Sequence, residues 1–175
     1  MVNWLQKVIT AGQKIKTAFH ERVTKEDIAK SDWTSCCKGP ILKKDLENNL
    51  FVCASCNKHH YISPTQRFDI MFGKNNWQKI DSPQPPPDPY NWQDTKKYTD
   101  RLKDAKKITG QDNAILSCEA KINDIDVVVS AVNFKFIGGS ISMAEGENVL
   151  ASIQVAINKK CPYIFISASG GMRMM

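Results

Sequence analysis

Apolar residues recur along this chain in several rhythms, and each predicts a different element. Near the start, Trp4, Leu5, Val8, Ile9, Ile15 and Phe19 share one helical face over 4–28, with Lys7, Lys14 and Lys16 interspersed. That amphipathic face is expected to pack on the protein itself or on a partner rather than on a membrane, because no arginine precedes Arg22. A short helical piece follows at 64–73, and the stripe Trp92, Thr95, Tyr98, Leu102 and Ala105 predicts a surface helix ending at Gly110. The period then changes. Residues 114–122 and 125–134 read as two strands joined by a turn at Asn123-Asp124, the second buried because Val127, Val128, Val129, Phe134 and Phe136 crowd it. A helix over 144–160 opens with a capping box, Ser142 and Glu145, and closes with lysines before Pro162; the strand Tyr163-Ile164-Phe165-Ile166 comes next. Strand, strand, glycine turn, helix and strand make an α/β arrangement, whose sites belong at the loops where strands end.

Two stretches break these rhythms. Residues 33–62 show strand-like pieces around Ile41-Leu42 and Leu50-Phe51-Val52, together with Cys36, Cys37, Cys53, Cys56, His59 and His60. Two short hairpins bury too little surface to be stable alone, and a metal would solve that. Residues 82–89 hold five prolines in eight positions, a stiff polyproline-type linker and the expected domain boundary. The expected organisation is an N-terminal helix at 1–30, a metal-binding ribbon at 31–63, connecting helices at 64–110 and an α/β domain at 111–175.

Composition narrows the class. The 175 residues are 42% hydrophobic and 24% charged, which excludes disordered, collagen-like and coiled-coil chains. No apolar run approaches the roughly 20 residues that cross a bilayer. The start lacks the uninterrupted apolar core and cleavage site of a signal peptide, so the chain is expected to be cytoplasmic. The net charge of +6 sits in the first 80 residues, which carry 13 basic against 7 acidic groups. This basic end leaves nucleic-acid binding near the cysteines as a rival reading, although no arginine cluster supports it.

Cysteine chemistry changes the picture most. Cys53-Ala54-Ser55-Cys56 is a C-x2-C knuckle, whose spacing turns both thiolates toward one ion. Its expected mate is the adjacent pair Cys36-Cys37, and adjacent side chains diverge. Cys37, with fifteen residues between it and Cys53, is well placed, and the fourth position stays open to Cys36, to His59 or to nothing. Cys118 and Cys161 read as small buried hydrophobes. Two glycine doublets, Gly138-Gly139 and Gly170-Gly171, each follow a strand, where backbone amides could hold an oxyanion. No Ser-His-Asp triad is available, because His20, His59 and His60 all precede residue 61. Any catalysis in the α/β part must rest largely on backbone amides.

Several motifs together resemble one family. Trp33, Cys37, Leu46-Glu47-Asn48-Asn49-Leu50, Val52-Cys53, Cys56 and His59-His60 resemble the zinc ribbon of the carboxyltransferase β subunit of multisubunit, bacterial- or plastid-type acetyl-CoA carboxylase. The run from Asp94 to Leu102 is similar to its linker helix, Phe134-Lys135-Phe136-Ile137-Gly138-Gly139-Ser140 to its first glycine loop, and Cys161-Pro162 with Ser167-Ala168-Ser169-Gly170-Gly171-Met172-Arg173-Met174 to its second. Asn3-Trp4-Leu5 fits as well. The resemblance runs the length of the chain, with motifs in family order.

It implies a zinc ribbon followed by the first part of a crotonase-type ββα superhelix. The implied activity transfers a carboxyl group from biotin on a carrier protein to acetyl-CoA, giving malonyl-CoA for fatty acid biosynthesis within an ATP-binding complex. The implied partners are a carboxyltransferase α subunit, in a heterotetramer of two α and two β, with biotin carboxyl carrier protein and biotin carboxylase. The implied compartment is the cytoplasm, or the plastid stroma in a plastid-bearing organism. Gly170 and Gly171 fall on the catalytic oxyanion loop, Gly138, Gly139 and Ser140 on the substrate-binding loop, and Cys36, Cys37, Cys53 and Cys56 on the zinc site. The chain also departs from the family. Thr34 stands where the family has its first cysteine, and Ser142 and Met172 replace the smaller Gly and Ala. It also stops four residues after Gly171, where family members continue, so a ribbon with a C-terminally truncated catalytic domain is expected.

Overall fold

The structure, a computed structural model, describes residues 32–36 and 39–174. The helix expected over 4–28 and Cys37 lie outside the described residues. The chain divides into two compact units, Met1–Tyr61 and Ile62–Met175.

In the first unit, strand β1 (Trp33–Cys36) pairs antiparallel with β2 (Gly39–Leu42), placing Trp33 opposite Leu42 and Cys36 opposite Gly39. Helix α1 (Lys43–Asn48) follows directly and buries Leu46. The strand expected at Leu50-Phe51-Val52 is absent. Leu50 and Phe51 take left-handed φ values of 51° and 63°. Their amides close the end of α1 instead, donating to Glu47 O at 3.1 Å and Leu46 O at 2.7 Å. Only Val52 pairs across, in a single bridge to His59.

The second unit is built on a four-stranded sheet in the order β3-β4-β5-β6. Helix α2 (Pro64–Phe72) precedes it, with proline at its first turn and a capping box between Ser63 and Gln66. Strand β3 (Trp77–Lys79) is only three residues long and carries no readable alternation, which is why the sequence pattern misses it. It pairs antiparallel with β4, so the prolines at 82–89 run within this unit rather than between the two. Helix α3 (Tyr98–Thr109) starts six residues later than its stripe predicts. Asp94 explains the delay, because its carboxylate accepts the Lys96 amide at 2.9 Å and bends the chain away from helix.

Strands β4 (Ile115–Ile122) and β5 (Ile125–Val132) form the expected hairpin, and Asn123 and Asp124 both take the positive φ that a tight two-residue turn needs. Helix α4 (Met143–Lys159) then carries the chain over to β6 (Tyr163–Ile166), which lies parallel to β5. From Val127 to Val132 every residue of β5 is buried, because helices cover both faces. Phe68 of α2 packs on Leu116, Cys118, Val127, Val129 and Ala131; on the other face Ala156 of α4 meets Val128 and Ile80. Phe134, expected inside, is 54% exposed, while Phe136 is buried against Ala105 and Ala114. The strand ends at Val132 because Asn133 turns the chain, its side chain accepting the Lys135 amide and its carbonyl the Phe136 amide. This is the ββα order that the resemblance implies, on an α/β sheet.

Candidate functional site

In the first unit, the chain from Phe51 to His60 is a hairpin whose tip is the knuckle. The Cys53 amide donates to Lys58 O at 2.9 Å, and the Asn57 amide donates to Cys53 O at 2.8 Å. β1 delivers Cys36 to this tip. The sulfurs of Cys36, Cys53 and Cys56 all lie within 4.8 Å of one another, those of Cys36 and Cys56 at 3.4 Å, with Cys53 buried. Three soft sulfur donors at this spacing suit a thiophilic ion, so the group could hold a metal. Cys36, left open in the sequence, is part of the cluster. The alternative His59 is exposed and is not in the group found among the described residues.

In the second unit the two glycine doublets are brought together. A short 3-10 turn, Ile137–Gly139, leads from β5 toward α4, and residues 167–171 leave β6 beside it. The Gly170 amide donates to Gly138 O at 2.9 Å, and the Ile141 amide donates to Gly171 O at 2.9 Å. This approach requires glycine at one position and leaves a second tight. A Cβ on Gly139 would sit 2.3 Å from Ala168 O, and one on Gly170 would sit 3.1 Å from Gly138 O. The four glycines are not equivalent. Gly170 has committed its amide to Gly138, whereas exposed Gly171 donates only to the Ser169 hydroxyl at 3.0 Å, a partner that rotates away at little cost. Ser140 is engaged as well, donating to Ile137 O at 2.7 Å and accepting from Arg173 Nε at 3.0 Å. Met172, whose long side chain stands where the family has a small one, is 80% exposed.

Behind the loops lies a group that motif reading passes over. Arg173 is buried, and its guanidinium meets Glu145 Oε1 at 3.0 Å with both side chains almost free of solvent. Glu145 also accepts the Ala114 amide at 2.8 Å, the Ser142 amide at 2.9 Å and the Ser142 hydroxyl. Burial pushes the Glu145 carboxyl up, but the Ser142 hydroxyl, the Ala114 amide and Arg173 together hold it below its ordinary value. The only sequence signal was the capping box at Ser142 and Glu145, which implies no arginine 28 residues on. A cavity of about 480 Å³ adjoins this pair, walled by Pro85, Tyr98, Phe136 and Met143, and none of the four loop glycines lines it.

Of the two lone cysteines expected to be buried, Cys118 is, whereas Cys161 is only partly covered, beside Val128 and Ala156. Burial, with the Glu119 charge beside it, pushes the Cys118 thiol up to about 12, so it is a thiol at neutral pH. No helix among the described residues is long and apolar enough to cross a membrane.

No protein-family model matches the chain. Curated relatives do. The chain is 55% identical over 174 residues to the acetyl-coenzyme A carboxylase carboxyl transferase subunit beta of Pelagibacter ubique, covering 99% of this chain and 56% of that protein. It is 37% identical over 175 residues to the subunit of the same name from Beijerinckia indica, covering 99% and 58%. Among solved structures, the beta subunit of P. aeruginosa geranyl-CoA carboxylase aligns with 75% of this chain and 23% of its own, at 18% identity and a TM-score of 0.44. Along 99% of its residues the chain is a relative of acetyl-coenzyme A carboxylase carboxyl transferase beta subunits, and it spans a little over half of their length.

Proposed function

We propose that the chain works as the carboxyltransferase β subunit of acetyl-CoA carboxylase, making malonyl-CoA for fatty acid biosynthesis in the cytoplasm. One observation carries the reading. A match at 55% identity to a protein of that name extends over 174 residues and so takes in both glycine loops, and these loops meet in space. The same relatives support carboxyl transfer over nucleic-acid binding. The proposed partners are an α subunit, a biotin carboxyl carrier protein and biotin carboxylase.

Biotin on the carrier protein would supply the carboxyl group: its N–carboxyl bond breaks, the methyl carbon of acetyl-CoA forms the new C–C bond, and the methyl proton ends on the biotin nitrogen that is released. The chain's own part is to stabilise negative charge on an oxygen as that exchange proceeds. Gly171 provides the amide, released from Ser169 as the oxyanion takes its place. Gly170 keeps its amide on Gly138 and lets the loop approach, while Gly138, Gly139 and Ser140 form the floor against which the thioester lies. A fixed amide donor of this kind is worth about 10²- to 10³-fold in turnover. Cys36, Cys53 and Cys56, with Cys37, would hold a structural zinc that fixes the ribbon.

The test is malonyl-CoA formation by the full chain with an α subunit, biotinylated carrier and acetyl-CoA. Gly170→Val pushes the second loop off Gly138 and should lower turnover by about 10²-fold. Equal turnover in both proteins would overturn the oxyanion assignment.

A further inference from the structure

We propose that Arg173 is a positioning residue, holding the Gly170-Gly171 loop in register with the Gly138-Gly139 loop; this rests on the carboxyltransferase reading of those loops. A guanidinium has five N–H donors in a fixed plane, and here every one is used. Nε donates to Ser140 Oγ at 3.0 Å, and Nη2 donates to Ser140 O at 2.6 Å and Glu145 Oε1 at 3.0 Å. Nη1 donates to Tyr98 Oη at 2.8 Å and Ser142 Oγ at 3.1 Å. Its cationic carbon stands 5.9 Å from the Tyr98 ring centre and 5.8 Å from that of Phe136.

Two features separate this from ordinary core packing. Arg173 grips both the side chain and the carbonyl of Ser140, the residue next to Gly139, while lying two residues after Gly171. Its main chain continues the same zipper, the Arg173 amide donating to Ile141 O at 2.8 Å and Ile141 donating back to Gly171 O at 2.9 Å. Four bonds therefore tie the Gly171–Arg173 stretch to residues 140 and 141, and a fifth, from Gly170 to Gly138, completes the register. With its side chain 2% exposed and all five donors committed within the protein, Arg173 has no hydrogen bond left to offer a ligand. A desolvated ion pair adds little stability over a well-packed apolar pair, so what this one contributes is a fixed arrangement. Glu145 orients the guanidinium in turn, being itself anchored by Ala114 and Ser142.

Arg173→Lys and Arg173→Met separate positioning from bulk stability. Lysine keeps the charge opposite Glu145 but cannot span Ser140, Ser142, Glu145 and Tyr98 at once. Three measurements on the full chain, assembled with α subunit and biotinylated carrier for the kinetics, decide the matter: urea unfolding, amide exchange at 138–141 and 170–173, and kcat with KM for acetyl-CoA. For the lysine variant the expected result is a near wild-type unfolding midpoint. Its loop amides should exchange about tenfold faster, and kcat should fall about tenfold to hundredfold with KM within about threefold. Wild-type protection and kcat in the lysine variant would overturn the proposal. So would losses that simply follow the unfolded fraction in both variants, or faster loop exchange at unchanged kcat. If the wild-type assembly makes no malonyl-CoA, the functional reading fails by itself, and exchange with unfolding still decides whether Arg173 sets the loop register.

Discussion

Glu145 shows how a single buried carboxylate is kept ionised. Its partners depress its pKa below the ordinary 4.5, so the folded value lies under the unfolded one. The stability this contributes is complete above the ordinary value and is lost as pH falls through the lower, folded value. Glu145→Gln should therefore unfold at lower urea than wild type at neutral pH, by about 3 kcal/mol, because it leaves Arg173 without its counter-charge. The gap should narrow as pH falls below the ordinary carboxylate range and the wild-type carboxyl also becomes neutral. A gap that stays constant across that range would contradict the assignment. Cys118 gives a second residue-level expectation. Buried in the sheet with its thiol pushed up to about 12, it should resist alkylation at pH 8 in the folded chain and react fully in urea. Rapid labelling of Cys118 under native conditions would show that β4 opens.

Between α4 and the sheet runs a polar seam inside an otherwise apolar layer. Ser117 Oγ lies 2.7 Å from Ser130 Oγ and donates to Asn148 Oδ1 at 2.6 Å, while Asn148 Nδ2 donates to Ile115 O at 2.9 Å. Asn148→Leu leaves a strand carbonyl unsatisfied under the helix and takes one of two partners from the Ser117 hydroxyl, and should cost about 2 to 3 kcal/mol in urea unfolding. A loss below about 0.5 kcal/mol would mean that water replaces the amide. The seam also shows what pattern reading can reach. Residues 125–134 announced a buried strand through branched side chains, two residues longer than the strand that forms, Asn123-Asp124 a tight turn, and Ser142 with Glu145 a helix start, because each signal is local. Asn148 and Ser152 carry no such local signal. Only the fold shows that they face β4 and β5. Likewise, the glycine doublets could be named from the sequence. That Gly170 spends its amide on Gly138, and that Arg173 locks the two loops, depends on contacts about 30 residues apart.

For the molecule as a whole, the two units differ in what sustains them. The second has an apolar core on both faces of its sheet; the first buries little beyond Leu46 and Cys53 among its described residues. Structural zinc contributes about 10 to 16 kcal/mol in small zinc-dependent domains, enough to decide whether such a ribbon folds. The purified chain should carry one zinc by metal analysis. A strong chelator, or Cys53→Ser, should expose 32–61 to proteolysis while 62–174 stays protected. A metal-free preparation with a protease-resistant ribbon would remove zinc from the account. The fourth ligand was not legible from spacing, because Cys36 and Cys37 compete for neighbouring directions. Geometry brings Cys36 in without deciding the part of Cys37.

The link between Arg173 and Glu145 also sets a schedule during synthesis. Tyr98 precedes Arg173 by 75 positions and Glu145 by 28, so both are made well before the arginine that joins them. Until residue 173 clears the ribosome exit, helix α4 must start on a carboxyl without its counter-charge, which favours a protonated or unburied Glu145. The nascent chain should thus hold its hairpin before its two loops seal, which they do in one step when the arginine arrives.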